Sequence, residues 1–304
     1  MHDPVDATLA RHGRVATRTQ LLRVMSRGQL DHLVRTGRLS TPFPQAYCRP
    51  WDADLPTTRR RAALVSTGPP AALSHLTALE MWGVLDARPA APLHVTTPAT
   101  RAPRGNADLV VHRARRFPDV ARIDGLIAVT AADAIVTSWP LLPPTQRRGP
   151  ALRAMRDRIT LPAQLRESVD RYRRLPEREA LRDLIALLEA GCESELEIWG
   201  HTHVFDIPGL RHGVKQYHVP AGGRRYRLDL AFTLERVAVE LDGFAYHSTH
   251  EQRERDTRRD AALAAVGWLT VRFTHHQLTT DPDGCQRQLL AILAQRRRLC
   301  TPGR

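Results

Sequence analysis

Lysine is all but missing from this chain. Lys215 is the only one in 304 residues, and every other basic side chain is arginine. Alanine and proline are abundant as well, so the basic balance reflects coding bias as much as a selected surface. Cysteine is also sparse. Cys48, Cys192, Cys285 and Cys300 lie far apart in the sequence. They form no CxxC pair and no Cys/His zinc spacing, and buried or free thiols in a reducing compartment are the default. No apolar run approaches the ~20 residues that a membrane span needs. The first residues, MHDPVDATLARHG, lack the apolar core of a signal peptide. A soluble, cytoplasmic protein with no membrane partner is expected. Internal repeats and long low-complexity tracts are absent, which excludes solenoid and array architectures.

What is present is a globular composition, 42% hydrophobic and 25% charged, with a formal net charge of +13. That length supports two or three domains with a sizeable core. The positive balance favours a polyanionic partner, most simply nucleic acid.

Residues 226–247, YRLDLAFTLERVAVELDGFAYH, carry the densest chemical information. Two apolar-alternating runs flank a turn at 233–236. With the turn centred between Leu234 and Glu235, Phe232 faces Val237, Leu230 faces Val239 and Leu228 faces Leu241. The same register sets Asp229 against Glu240. The apolar pairs would share one face and the two carboxylates the other. A slip of one residue would scramble both faces, so the register is well specified. Opposed side chains have Cβ atoms roughly 5 Å apart, and like charges there repel. Such a pair shares a proton or binds a cation. A solvated surface hairpin fits the pattern too, with Arg227 paired to Asp242.

Ahead of the hairpin, SELEIW opens a helix with an S-x-x-E capping box from Ser194 to Glu197. Glu197 is a capping acid or a member of the site. VKQYHV then reads as a strand. Behind the hairpin come a long helix from about residue 249, a stop at Gly267, the alternating strand WLTVRFT and a terminal helix over 286–298. The order α-β-β-β-α-β-α fits a mixed sheet with helices on its faces.

Residues 1–55 read as three short helices and a hairpin. Thr17/Gln20 and Ser26/Gln29 match capping boxes. Leu21, Leu22 and Met25 form one apolar stripe, and Leu30, Leu33 and Val34 the next. RLSTPFPQAYCRP has the character of a β-wing. This is the pattern of a winged helix-turn-helix. Its third helix would offer Arg27, Gln29, His32 and Arg35 to phosphates and base edges. A protein-interaction domain with a solvated polar face would look the same. Further on, 59–140 alternates helices and strands. There Thr130 caps a helix with Asp133 in its first turn, and the histidines look scattered and structural. Pro140–Pro150 is Pro-rich. Residues 151–191 are helical, Thr160 starts one of the helices, and the charge run there reads as a solvated face.

The RLD segment, the VAVELDG strand, a His four residues past Gly243, the RERD helix and GWLTVRFT together resemble the very-short-patch-repair-like endonucleases. More closely they resemble the domain-of-unknown-function 559 branch of the PD-(D/E)XK nuclease superfamily, over about residues 192–295. Residues 5–55, with weaker similarity through 142, resemble the winged helix of AbiEi-type antitoxins, which bind their own promoter DNA. The resemblances imply a multi-domain α/β protein: 1–58 winged helix-turn-helix, 59–145 an α+β region, 146–190 a helical linker and 191–304 an endonuclease-like domain with a mixed sheet. They imply DNA as partner and Mg²⁺ (or Mn²⁺) as cofactor, held by Asp229, Glu240 and the main-chain carbonyl of Leu241. Glu197 stands where the family often has a helix acid, and His247 where repair-type members have a base or phosphate contact. The usual motif lysine is replaced by Asp242, so Lys215, Arg227 or His247 would fill its role, or the site is inactive. A metal-dependent endonuclease in phage defence or repair, a DNA-binding antitoxin-type regulator with a degenerate site, and an interaction scaffold all remain open. An arginine filling the space between Asp229 and Glu240 would argue against the first.

Overall fold

Two capping boxes set the N-terminal architecture. The computed structural model describes residues 3–88, 91–101, 103–192, 194–242 and 250–300. It forms two compact units, residues 1–182 and 183–304. In the first unit, helix α1 (Pro4–Arg11) and strand β1 (Ala16–Thr17) lead to two short helices. Thr17 caps α2 (Arg18–Leu21) and Ser26 caps α3 (Arg27–Arg35), each closing a reciprocal box with Gln20 or Gln29. Each box satisfies orphan backbone donors at a helix start. Strands β2 (Ser40–Phe43) and β3 (Ala46–Cys48) form the wing, and β1 joins it in the order β1-β3-β2. Leu21 and Leu30 are fully buried, with Met25 and Leu33 packed beside them. Leu22 and Val34, expected on the same stripes, are instead exposed. The helices are too short to bury two neighbouring columns each.

Arg49, buried just after the wing, holds α1 in place. It donates to Asp3 at 2.5 Å, to Asp6 at 2.7 Å and to the Arg38 carbonyl at 3.1 Å. The core does not stop at the wing. Val15, Phe43, Ala46 and Cys48 pack with Ala62 and Ala63 of α4 (Pro56–Thr67) and with Leu73, Val95, Leu109 and Ala128 beyond it. Those last residues belong to a five-stranded sheet ordered β6-β5-β4-β8-β7. Its strands are β4 (Ala72–Leu73), β5 (Leu93–Pro98), β6 (Leu109–Ala114), β7 (Val120–Ile123) and β8 (Leu126–Val129). Helix α5 (His75–Met81) follows β4, and α6 (Ala131–Ser138) follows β8, capped by Thr130 as expected. The sheet gathers His75, His94 and His112, which the sequence scatters. Burial keeps all three imidazoles neutral, pushing His75 well below its usual range and His94 and His112 down to about 4.

Helices α7 (Arg148–Arg156) and α8 (Pro162–Arg171) complete this unit, and α9 (Arg178–Glu189) runs into the second. Thr160 does not cap α8. Leu161 occupies the cap position, and the Thr160 hydroxyl donates to Gln164 at 2.8 Å. Nor is the charge run wholly solvated. Asp133 is completely buried, and Arg171 donates to it at 2.8 Å beside Ser168 at 2.5 Å. A buried carboxylate left without its cation costs several kcal/mol, whereas replacing both partners with apolar groups costs far less. Arg171→Met is therefore expected to destabilise the chain by about 3 kcal/mol in urea unfolding. Adding Asp133→Leu should restore part of that loss; a double variant less stable than the single one would refute the pairing.

The second unit runs α10 (Glu195–Gly200), β9 (Val214–Ala221), β10 (Arg224–Phe232), β11 (Val237–Asp242), α11 (His250–Ala265), β12 (Leu269–Thr274), α12 (His275–Thr280) and α13 (Pro282–Cys300). This is the expected order with two additions, a π-helical turn (His201–Phe205) that continues α10 and the short helix α12. The sheet is mixed, β12-β11-β10-β9, with β11 and β12 parallel and the other pairs antiparallel. One face packs Leu230, Phe232, Val237, Val239 and Phe273 against Leu196, Phe205, Leu289 and Leu293. The other packs Val219, Leu228, Ala231 and Ala238 against Leu263 of α11. Among the described residues no helix is long and apolar enough to cross a membrane.

Candidate active site

The hairpin register is the expected one: Phe232 faces Val237 and Leu230 faces Val239. One side chain departs from the expected pattern. Leu228 packs on the α11 face, while Leu230 packs on the opposite face. In an unbroken strand, residues two apart share a face. The alternation therefore breaks between them, at Asp229. The partner strand distorts at the same level. Pairing with β9 runs Leu228↔Tyr217 and resumes at Leu230↔Lys215, passing over Asp229 and Gln216. Gln216 takes φ +50°, a left-handed conformation rare for a strand residue. Paired breaks of this kind re-aim side chains and recur beside active sites.

The break turns Asp229 toward β11. Its Oδ2 accepts from the Leu241 N–H at 3.0 Å, one step past the last paired residues of the hairpin. Asp229 is thereby held at the backbone of the residue that follows Glu240. Glu240 lies on the α11 side, 6% exposed, and pairs in register with Arg272 of β12. Its carboxylate is engaged: Arg259 of α11 donates to Oε1 at 2.5 Å and to the Arg227 carbonyl at 2.6 Å. The two acids are thus close in the fold without forming the simple opposed pair that a flat ribbon would give.

Glu197 enters from α10. Ser194 caps α10 by accepting from the Glu197 N–H at 3.1 Å, its hydroxyl donates to one Glu197 carboxylate oxygen at 2.9 Å, and Gln216 Nε2 donates to the other at 3.1 Å. The Glu197 carboxylate thus reaches the residue across from Asp229 rather than closing a capping box. Gln216 Oε1 is buried with no hydrogen-bond partner among the described residues. An orphaned acceptor of this kind is costly unless something electropositive fills the space. Lys215 is adjacent, with Nζ 3.8 Å from Cys192 Sγ. Burial raises the Cys192 thiol, and the ammonium opposes that rise. Burial also lowers His201, which feels the same ammonium. A cavity of about 430 Å³ lies here, lined by His201, Asp206, Arg211, Lys215 and Leu230 among others.

His247 lies outside the described residues, as does the side chain of Asp242 and with it the expected Arg227–Asp242 pair. Elsewhere on α11, Asp256 and Asp260 pair with Arg272 at 4.0 and 3.0 Å. Gln216 was not singled out from sequence; its amide looks ordinary until a positive φ places it across from Asp229. Arg259 reads in sequence, with Arg255 and Asp256, as a phosphate contact or as part of helix-surface ion pairs. In the N-terminal unit, Arg27, Gln29, His32 and Arg35 are all exposed on α3. Gln29 spends its carbonyl on the Ser26 N–H, and Arg27 stands 3.9 Å from Asp31.

Asp229 and Glu240, on neighbouring strands, offer hard carboxylate oxygens. Such donors suit Mg²⁺ or Mn²⁺ rather than a soft metal. Arg259 competes with any cation for Glu240. A family model of restriction endonuclease-like proteins, REase_MTES_1575, matches residues 211–293, which span β9 to α13 and both acids. Two uncharacterized proteins of Mycobacterium tuberculosis, MT2308 of strain CDC 1551 / Oshkosh and Rv2248 of strain ATCC 25618 / H37Rv, are each 28% identical over 263 residues. Each match covers 85% of this chain and 93% of the relative, so it extends into both units. The mixed sheet with flanking helices fits a restriction endonuclease-like fold, and the family match laid over it supports a nuclease domain in the C-terminal unit.

Proposed function

We propose that the chain is a divalent-metal-dependent DNA endonuclease of very-short-patch-repair-like type that grips DNA with its N-terminal winged helix. The observation that carries this reading is the break at Asp229. It brings one carboxylate to the Leu241 backbone and leaves an unpartnered amide oxygen beside it. Asp229, Glu240 and the Leu241 carbonyl would hold Mg²⁺ or Mn²⁺. Bound there, the ion would activate water and offset charge on the phosphoryl group in flight. The remaining work falls to the chain. The Leu241 N–H fixes the Asp229 carboxylate, so its orientation costs nothing at the moment of reaction. Glu197 orients Gln216, the residue facing Asp229. Glu240 must exchange the guanidinium of Arg259 for the cation. Arg259, once released, is a bidentate donor suited to a phosphate. Lys215 is the one ammonium that could stand in for the motif lysine, which Asp242 replaces; His247 and Asp242 complete the proposed set.

A second reading has its own observation. The Arg259–Glu240 pair already neutralises one site acid, and with no lysine at the third motif position this favours a non-enzymatic DNA-binding regulator of the AbiEi antitoxin type. The arm that separates the two is cleavage. Purified protein is expected to nick plasmid DNA with Mg²⁺ or Mn²⁺ and to stop in EDTA. Asp229→Ala should lower the rate at least ~100-fold. Nicking that continues in EDTA or in Asp229→Ala would defeat the nuclease reading.

The competition at Glu240 has its own readout. Mn²⁺ binding followed by electron paramagnetic resonance should weaken in Asp229→Asn and tighten in Arg259→Met. Equal affinities in all three proteins would mean that no ion sits there.

For the winged helix, the exposed arginines of α3 should contribute counterion release. Changing Arg27 and Arg35 together to alanine is expected to weaken DNA binding and to flatten the slope of log affinity against log salt by about 2. An unchanged slope would place the DNA surface elsewhere.

A further inference from the structure

The three histidines of the five-stranded sheet are not needed by anything above. Strands β5 and β6 are parallel, and Thr96 stands level with His112. His94 and His112 are therefore diagonal neighbours on one face. His94 Nδ1 lies 2.9 Å from His112 Nε2. Strand β4 pairs with β5 through Leu73↔Val95, and the Ser74 N–H donates to the His94 carbonyl, so His75 arrives just past the end of β4. Its ring stacks on His112 with centroids 3.5 Å apart. One candidate ligand nitrogen from each ring lies within 4.8 Å of the other two.

We propose that His75, His94 and His112 form a metal site for a borderline divalent transition ion, zinc foremost. Three imidazoles, with no carboxylate or thiolate among them, disfavour Mg²⁺ and Ca²⁺ and suit Zn²⁺, Ni²⁺, Co²⁺ or Cu²⁺. Zinc–imidazole bonds of ~2.0–2.1 Å in a tetrahedron hold the nitrogens ~3.4 Å apart. The spacing observed brackets that value, and closing on an ion requires the stacked rings to turn until their in-plane lone pairs converge. The supporting contacts are of the kind metal ligands use. Ser74 Oγ meets His75 Nδ1 at 3.0 Å, which fixes that ring and leaves Nε2 for the metal. The His94 N–H is tied to Thr77 Oγ1 at 2.8 Å, which fixes its backbone. His75 is held at φ +49°, a conformation that L residues seldom adopt and that clusters at functional positions.

Packing alone gives a poor account of the cluster. Three stacked imidazoles fill the space less well than aliphatic side chains, and only one hydrogen bond joins two of them. No fourth His, Cys, Asp or Glu joins the group among the described residues. His75 and His112 are half-buried, so water can reach the ion from their side. Three protein ligands with an open position is the arrangement that reactive zinc sites share, and structural sites lack.

The test uses untagged full-length protein, stripped with a chelator and titrated with Co²⁺. One equivalent should bind with the visible ligand-field bands of a tetrahedral nitrogen site, and Zn²⁺ should displace it. His94→Gln and His112→Gln should each weaken binding by more than the ~10–100-fold that outer contacts contribute, with unchanged circular dichroism. Asp229→Asn should keep the bands. X-ray absorption on zinc-loaded wild-type protein should show three nitrogens at ~2.0 Å, a readout that needs no variant to fold. Failure of the wild type to bind one equivalent, bands that survive in both histidine variants, or an oxygen-dominated zinc shell would each overturn the assignment.

Discussion

The alternation of a β-strand is a rigid constraint, and this molecule breaks it at Asp229. A carboxylate midway along a regular strand points into one face or the other. Here both faces are occupied, one by the α10–α13 core and the other by α11. The break lets Asp229 do neither. It reaches sideways to the Leu241 N–H and substitutes for a main-chain acceptor where the hairpin ladder ends. Gln216 makes the opposite adjustment on β9 by adopting a left-handed φ. Without that pair of distortions, Asp229 would face a helix and oppose Glu240 across the ribbon instead of reaching the Leu241 N–H.

Electrostatics at the break are tightly coupled. Glu240 is almost fully buried, and burying a lone carboxylate is unfavourable by several kcal/mol. Some positive group must therefore accompany it, and in this state Arg259 does. A divalent ion and a guanidinium are alternatives for the same carboxylate. The two functional readings are two answers to which of them holds Glu240 when DNA is bound. The hairpin turn shows the same demand met permanently. Glu235 is fully buried there, and burial alone would raise its pKa. Arg297, at 2.5 Å, instead holds the carboxyl below its usual range.

The N-terminal unit is governed by the same rule of paired buried charge. Arg49 gathers two aspartates and a carbonyl to fasten α1, and Asp133 draws Arg171 and Ser168 out of a run that reads as surface. Val15, Phe43, Ala46 and Cys48 share one core with the five-stranded sheet, so the N-terminal hairpin rests on strands far along the chain, while α2 and α3 pack in a core of their own.

Sequence alone determined the elements of the C-terminal unit, the hairpin register, the capping boxes at Thr17 and Ser26 and the helix start at Ser194. Each depends on residues close in sequence: a two-residue period, a four-residue turn, a side chain reaching three residues ahead. It also singled out Asp229 and Glu240 as the candidate acids, because a family pattern is written in residue identity. The tertiary structure decided everything that depends on what an element packs against. It set Leu228 on the face opposite Leu230, exposed Leu22 and Val34, seated Arg259 on Glu240 and made Gln216 part of the site. It also gathered His75, His94 and His112, which stand 19 and 18 positions apart in the chain. Strand order across a sheet is set by long-range pairing, and no local period records it.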